Sequence, residues 1–377
     1  GTVQCGAEPP GWNLNGNAGT NPDNNFIGTT DAQALEFRTA NVRSLRLEPS
    51  AELFNGDPIT ANVIGGSLAN EVAAGVRGAT IAGGGMPAGD SDPGFAFESP
   101  NRVTRDYGFV GGGFGNTASG VQSVISGGRN NTTGLILSTV GGGSDNTASG
   151  SSSTVGGGSG NTASSSSSTV GGGSGNTASS SSSTVGGGNS NVASDTNSTV
   201  GGGSFNTASG QSSTVGGGSS NTASGNDSMV SGGVLNCAGG FYSWAGGRGA
   251  KVRPGSFSGE PNRGCDGVPI IGRAAGDSGT FVWSGNQFQD FVSTGSEQFL
   301  VDARGGVGIN TNAPETDLHV FGSSRSDSND FWQIIAQGDE TTGDAGTGGG
   351  ISFLGNDGNG IQRLWGYIEN VKENSTD

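Results

Sequence analysis

Lysine is nearly absent from this chain: of 377 residues, only Lys251 and Lys372 carry it. Basic residues number 16 against 32 acidic, for a formal net charge of -16. Nucleic-acid binders show a basic stripe, because phosphate neutralisation supplies most of their affinity. None exists here, so no nucleic-acid partner is expected. Histidine occurs once, as His319 in "DLHVF", where an alternating strand makes it a half-buried structural residue rather than a catalyst. No run of about 18 apolar residues occurs, so nothing is expected to insert into a membrane. Helix signals are almost missing too; "DFWQIIAQGDE" at 330–340 is the weak exception and reads as strand. The chain opens at Gly1 without methionine or signal peptide, which reads as a processed product or an artificial start.

Cysteine is scarce as well. Three are present, with no C-x-x-C and one distant histidine, which argues against zinc. Cys237 and Cys265 bracket an irregular Gly/Pro/Arg stretch and are expected to form a disulfide that closes a soft loop; two free thiols are the alternative. Cys5 stands alone.

What is abundant is glycine, at 78 residues, with only 30% hydrophobic residues. That composition alone suggests disorder, but periodicity overturns it. The valine of "TVGGG" recurs at one unvarying spacing as Val110, Ile125, Val140, Val155, Val170, Val185, Val200, Val215 and Val230, degenerating to Ala245. Six places further on stands an unbroken column of Asn116, Asn131, Asn146, Asn161, Asn176, Asn191, Asn206, Asn221 and Asn236. Eight places on stands alanine, replaced once by Thr133, and serine precedes each valine by two places from Ser123 to Ser243. A looser turn runs earlier, where Ile64 and Asn70 keep the same offset as Val110 and Asn116.

A fixed period of this size predicts a β-solenoid with one repeat per coil. Each coil holds two short strands, Ser-Thr-Val-Gly and Asn-Thr-Ala-Ser, joined by glycine and serine turns. Strand alternation turns valine and alanine inwards. The residue before the valine runs Phe109, Val124, threonines from Thr139 to Thr214, then Met229 and Trp244. A column that accepts tryptophan faces outwards or towards a partner. The asparagine column is expected to stack as a ladder at a corner, its amides satisfying turn backbone; an ion-binding column is the rival. Nine coils about 4.8 Å apart make a rod roughly 40 Å long.

Energetics add a partner. One buried valine contributes about 1.5–3 kcal/mol, whereas ordering each residue costs roughly 1–2 kcal/mol. The coils are therefore expected to gain lateral burial from neighbouring chains.

The text "STVGGGSGNTASG" resembles the head repeats of trimeric autotransporter adhesins, which are left-handed parallel β-rolls with motifs of the type S-x-V-A-x-G-x-x-S/N-x-A-x-G. That family's repeat is usually one residue shorter. "EQFLVDARGGVGINTNAPETDLHVFG" at 297–322 resembles segments of phage tail fibres, and "GGGISFLGNDGNGIQRLWGYIE" at 348–369 is similar to fibre modules that precede an intramolecular chaperone. Period and resemblance together give the expected fold: the spacing sets 15-residue coils of an all-β parallel β-solenoid or β-roll, and the resemblance implies flanking hairpin fibre modules and assembly as a homotrimer. It divides the chain into a hairpin cap at 1–59, a β-roll at 60–250 with regular coils at 110–245, a disulfide-closed connector at 251–296, and a tail-fibre-like module at 297–377. "ALEFRTANVRSLRLEP" reads as a hairpin around Thr39–Asn41, and "FLVDARGGVGIN" as a second around Gly305–Gly306.

Chemistry-bearing constellations are few. Acidic clusters at Asp90 and Asp92, in "GDETTGD", and at Asn356, Asp357 and Asn359 have calcium-like character. None completes a calcium loop, so they read as solvated turns and no cofactor is expected. Trp283, Trp332 and Trp365 are candidate glycan-contact aromatics, with packing between fibre chains as the competing role. The expected function is an extracellular, non-enzymatic adhesive fibre that projects from a cell or particle towards an unidentified host, glycan or abiotic surface. The alternative is a self-assembling filament or matrix subunit. A glycan-degrading tail spike is disfavoured, because such enzymes need a positioned carboxylate pair and the repeat body has almost no carboxylates.

Overall fold

The computed structural model describes residues 18–21, 26–50, 60–88, 98–256, 265–270, 272–285, 289–309, 311–315 and 317–318. It also describes the backbone of strands Leu53–Phe54, Asp57–Pro58, Leu318–Val320, Gly350–Asn356 and Gln362–Glu369. The chain forms two compact units, Gly1–Arg304 and Gly305–Asp377. Cys5, Asp90, Asp92, Trp332, Asp357, Asn359 and the segments 330–340 and 338–344 lie outside the described residues.

The first unit is an all-β parallel β-solenoid, and no α-helix occurs among its described residues. Each coil contributes two very short strands, such as Thr139–Val140 and Thr147–Ala148. Successive coils pair in parallel, one sequence period apart, with Val140 beside Val155 and Ala148 beside Ala163. The valine strands form a 16-stranded sheet and the alanine strands a 13-stranded sheet, hereafter the valine and alanine sheets. Period two turns Val and Ala inwards, and both columns are fully buried within one chain.

Two corners join the sheets, and each turns on a residue with left-handed backbone. Asp145 (φ 58°) and Ser152 (φ 56°) do this in one coil. The reversal aims their N–H groups back at the preceding coil, onto the carbonyls of Arg129 and Ile136, while strand amides donate forward. Of the three glycines, the third is fixed by the fold. Gly158 has φ +88°, and a Cβ there would sit 2.0 Å from the Gly173 carbonyl oxygen of the next coil.

The interior is only half apolar; the rest is asparagine and serine, both fully buried over most coils. The backbone N–H of Asn176 donates to Asn161 Oδ1 at 3.0 Å. Its Nδ2 donates to the carbonyls of Gly172 and Gly188, both at 2.9 Å, and its Oδ1 accepts from the N–H of Asn191 at 3.0 Å. Each asparagine thus closes the turn of its own coil and ties it to the coils on either side. At the opposite corner Ser183 Oγ donates to the Ser180 carbonyl at 2.7 Å and accepts from the Ser180 N–H. Thr133, the exception in the alanine column, donates to Ser123 Oγ.

The ladder outruns the regular repeat. It begins at Asn70, whose Oδ1 accepts from the N–H of Asn101, and ends where Ala250 N–H donates to Asn236 Oδ1. Asn101 follows Asn70 by 31 positions rather than by one period, and between them Met86 and Ser99 are joined by an antiparallel bridge. At the N-terminal end Leu35–Thr39 and Val42–Pro49 form a hairpin over positive-φ Ala40 and Asn41, and its second strand pairs antiparallel with Ala61–Gly65.

The C-terminal end differs from the sequence reading. Parallel rungs run past residue 250, through Phe281–Ser284 to Phe299–Asp302. "FLVDARGGVGIN" is therefore not a hairpin. Phe299–Asp302 is a solenoid rung paired in parallel with Phe281–Ser284, whereas Val307–Ile309 pairs in parallel with Leu318–Val320 in the second unit. That unit also contains the antiparallel pair Gly350–Asn356 and Gln362–Glu369.

Replacing Asn176 with Ala strands the buried Asn191 N–H and the Gly172 carbonyl, at an expected cost of about 2–4 kcal/mol. Asn176→Asp costs more at neutral pH, since a carboxylate then faces two carbonyl oxygens. Those oxygens raise the folded-state pKa of the new acid above its unfolded value, so the stability lost returns as pH falls. Urea midpoints of both variants at pH 7 and pH 4 check this: Asp below Ala at pH 7, with the gap narrowing at pH 4.

Candidate functional site

A uniform threonine column would make every rung of the outer valine-sheet face alike. The C-terminal rungs break that uniformity. In register, Thr214 is followed by Met229, Trp244, Phe281 and Phe299. Trp244 and Phe281 stack with ring centroids 4.2 Å apart and planes 5° from parallel. Phe281 and Phe299 continue the stack at 4.7 Å and 14°. Rungs fix the rings one above the next, so the stack follows from strand register rather than from local packing alone.

The stack stands on the outside of its own chain: Phe299 is 75% exposed and Met229 42%. Gly246 makes room for it, because a Cβ there would lie 2.4 Å from the Trp244 ring. Trp283, two places beyond Phe281 on the same strand, shares this face and pairs with Gly246 and Val301. Of the three tryptophans singled out from sequence, Trp283 alone has a described side chain. Trp365 lies on strand Gln362–Glu369 of the second unit, with only its backbone described. Phe281 and Phe299 are absent from the site residues read from sequence. The signal that finds them is the column running from threonine to Met229 and Trp244, which resumes once the insert between Val252 and Phe281 is skipped.

The described part of that insert covers the outer face of the alanine sheet at its C-terminal rungs. Outer-face Thr147 and Ser149 are half-buried, whereas Thr222, Ser224 and Cys237 are fully buried at the covered rungs. Cys237 and Cys265 form a disulfide that fastens the cover, and Ser224 Oγ lies 3.8 Å from Cys265 Sγ. Arg253 grips the buried Asp277 through Nε at 2.7 Å and a second nitrogen at 3.1 Å, and Ser293 Oγ donates to the same carboxylate. Lys251, only 2% exposed, lies beneath this cover with Asp290 3.8 Å from its Nζ. Burial pushes its pKa below the ordinary lysine value, opposed by the charges of Asp290 and Asp266.

The asparagine ladder offers no row of free oxygens to a cation, since each Oδ1 accepts from the next backbone N–H. Among the described residues no group of three or more His, Cys, Asp and Glu is placed to hold a metal. What the molecule does present is a flat aromatic strip on a stiff sheet. Such a strip binds other flat apolar surfaces, whether protein aromatics or the faces of sugar rings.

Lys251 gives this region a pH signature. Its folded pKa lies below the unfolded one, so within that window the unfolded chain binds the extra proton. Stability therefore rises as pH climbs towards about 10.4. Lys251→Met is expected to remove this rise and to leave stability at pH 7 unchanged or increased, because a buried charge gives way to an apolar chain of similar length. Thermal melts of both proteins from pH 7 to pH 10 check it.

No protein-family profile matches this chain, and no curated protein matches it.

Proposed function

We propose that this chain is an extracellular structural and adhesive fibre protein. Three copies associate along their valine-sheet faces into a stiff rod that projects from a cell or particle and attaches it to a surface. The observation that carries this reading is the Trp244–Phe281–Phe299 stack, in which Trp244 and Phe281 are half-buried and Phe299 is exposed on its own chain. Exposed aromatic clusters of this kind mark interaction surfaces, and each aromatic covered by a neighbour contributes about 1.5–3 kcal/mol. The number three comes from the resemblance to trimeric adhesin heads. Stiffness comes from the asparagine ladder, and attachment from multivalency, in which weak sites on one rigid body raise each other's effective concentration.

End-to-end filament growth is the second reading. Of the outermost described strands of the valine sheet, Leu35–Thr39 carries Glu36 and Arg38, and charged edge strands oppose edge-to-edge pairing. The lateral assembly is therefore preferred.

Light scattering on the full chain is expected to give three times the 36.9 kDa chain mass, with and without reductant. Phe281→Ser combined with Phe299→Ser is expected to shift the mass towards one chain while the far-UV spectrum stays β. A single-chain mass for the unaltered protein would overturn the proposal.

A further inference from the structure

The middle of the solenoid cannot tell one coil from the next. From Thr154 to Thr214 each rung presents Thr on the outer valine face, in register with an identical neighbour on the following coil. Two copies packed along this face and slid by one coil would set Thr169 where Thr184 had been. Nothing in those rungs opposes the slip, since register is weakly specified wherever a face is uniform and polar.

Both ends of the same face depart from that uniformity. At the N-terminal end the column carries Phe109 and Val124, and the corner leading into it carries Tyr107, Leu135, Ile136 and Leu137. Their equivalents in the middle coils are mostly serine. At the C-terminal end stand Met229, Tyr242, Trp244, Phe281 and Phe299.

The corner residues carry two penalties at once. Tyr107 and Leu137 both have φ 59° and Tyr242 has φ 56°, in a left-handed conformation that bulky side chains disfavour. At the equivalent turn Ser152, Ser167, Ser182 and Asn197 adopt the same backbone with small polar side chains. Tyr107, Leu137 and Tyr242 are also exposed, at 46%, 51% and 70%. Their own chain covers them only in part: Tyr107 lies over Gly78 and Tyr242 meets the Phe241 ring edge-on, while about half or more of each side chain stays in solvent. A second chain could cover the remainder.

We infer that these two apolar pads set the register in which copies of this chain pack side by side. The occupant of each pad is the same pad on a second copy, so that only the parallel, unshifted arrangement covers both ends at once. The inference rests on the self-association proposed above, and it adds what a uniform threonine face lacks, a reason for one alignment.

Cross-linking separates the two ideas. In a Cys5→Ser background, chains with Thr184→Cys are oxidised alone, and chains with Thr169→Cys are mixed during refolding with chains carrying Thr199→Cys. In register, the second pair is two rungs apart, roughly 10 Å along the axis. That exceeds the ~7 Å between Cα atoms that a disulfide can span. The expected result is efficient 184–184 bridging and background 169–199 bridging. A variant of the N-terminal pad, with Tyr107, Leu135, Ile136 and Leu137 all changed to Ser, should keep the assembly mass through the C-terminal pad while 169–199 bridging rises measurably above its background. If that variant keeps only same-number bridges, or falls apart into single chains, the register proposal is overturned and self-association stands. So is it if 169–199 bridges form with the pads intact. Single chains before any pad change would overturn both.

Discussion

Buried asparagine is the constraint on which this molecule depends. A coil that buries one valine and one alanine lacks the apolar area to offset the ordering of its own backbone, and the ladder of side-chain amides supplies what the small side chains cannot. Each amide is a donor and an acceptor fixed in one plane. Stacked at one corner, the amides form a continuous hydrogen-bonded line from Asn70 to Asn236. Neighbouring bonds in such a line polarise one another in a low-dielectric interior. The same feature dictates one glycine of each coil: Gly188, whose carbonyl accepts from Asn176, would place a Cβ 2.1 Å from the Gly203 carbonyl oxygen, whereas a Cβ on Gly172, the other acceptor, would meet no atom closer than 4.0 Å.

This arrangement changes the energetic expectation drawn from composition. Counting only valine, alanine and backbone ladders makes lateral burial necessary for folding. The structure closes both interior columns within one chain, and the buried asparagine side chains and most of the buried serines bond to the turns, Ser209 and Ser228 being exceptions. The association proposed along the valine face therefore has a different physical role: it would cover aromatic rings at defined rungs rather than seal a core that is already sealed.

Much of this is legible in the sequence, for one reason. A strict period can be satisfied only if each column meets the same environment in every coil, so Val, Asn, Ala and Ser each have one place to go. Legibility fails where the period breaks. Asn101 keeps the step of 15 to Asn116 and is found by counting the column back once, whereas Asn70 lies 31 positions before Asn101 and breaks the phase. Phe281 and Phe299 are hidden by the insert after Val252, so the aromatic stack cannot be assembled by counting. Phe299–Asp302 reads as half of a hairpin because a Gly-Gly pair follows it, although its true partner is the upstream strand Phe281–Ser284. The residues that distinguish one rung from another are also the ones on which the proposed interaction rests, and by construction a repeat search passes over them.

Amide hydrogen exchange on the full chain tests the central claim most directly. If the ladder holds the coils together, the backbone N–H groups of Asn131 to Asn221 exchange slowest of all. They should do so as one cooperative block, and more slowly than the corner amides of Ser152, Ser167 and Ser182. Ladder amides that exchange as fast as those corner serines would contradict the account, and would mean that the stacked strands stand without the asparagines.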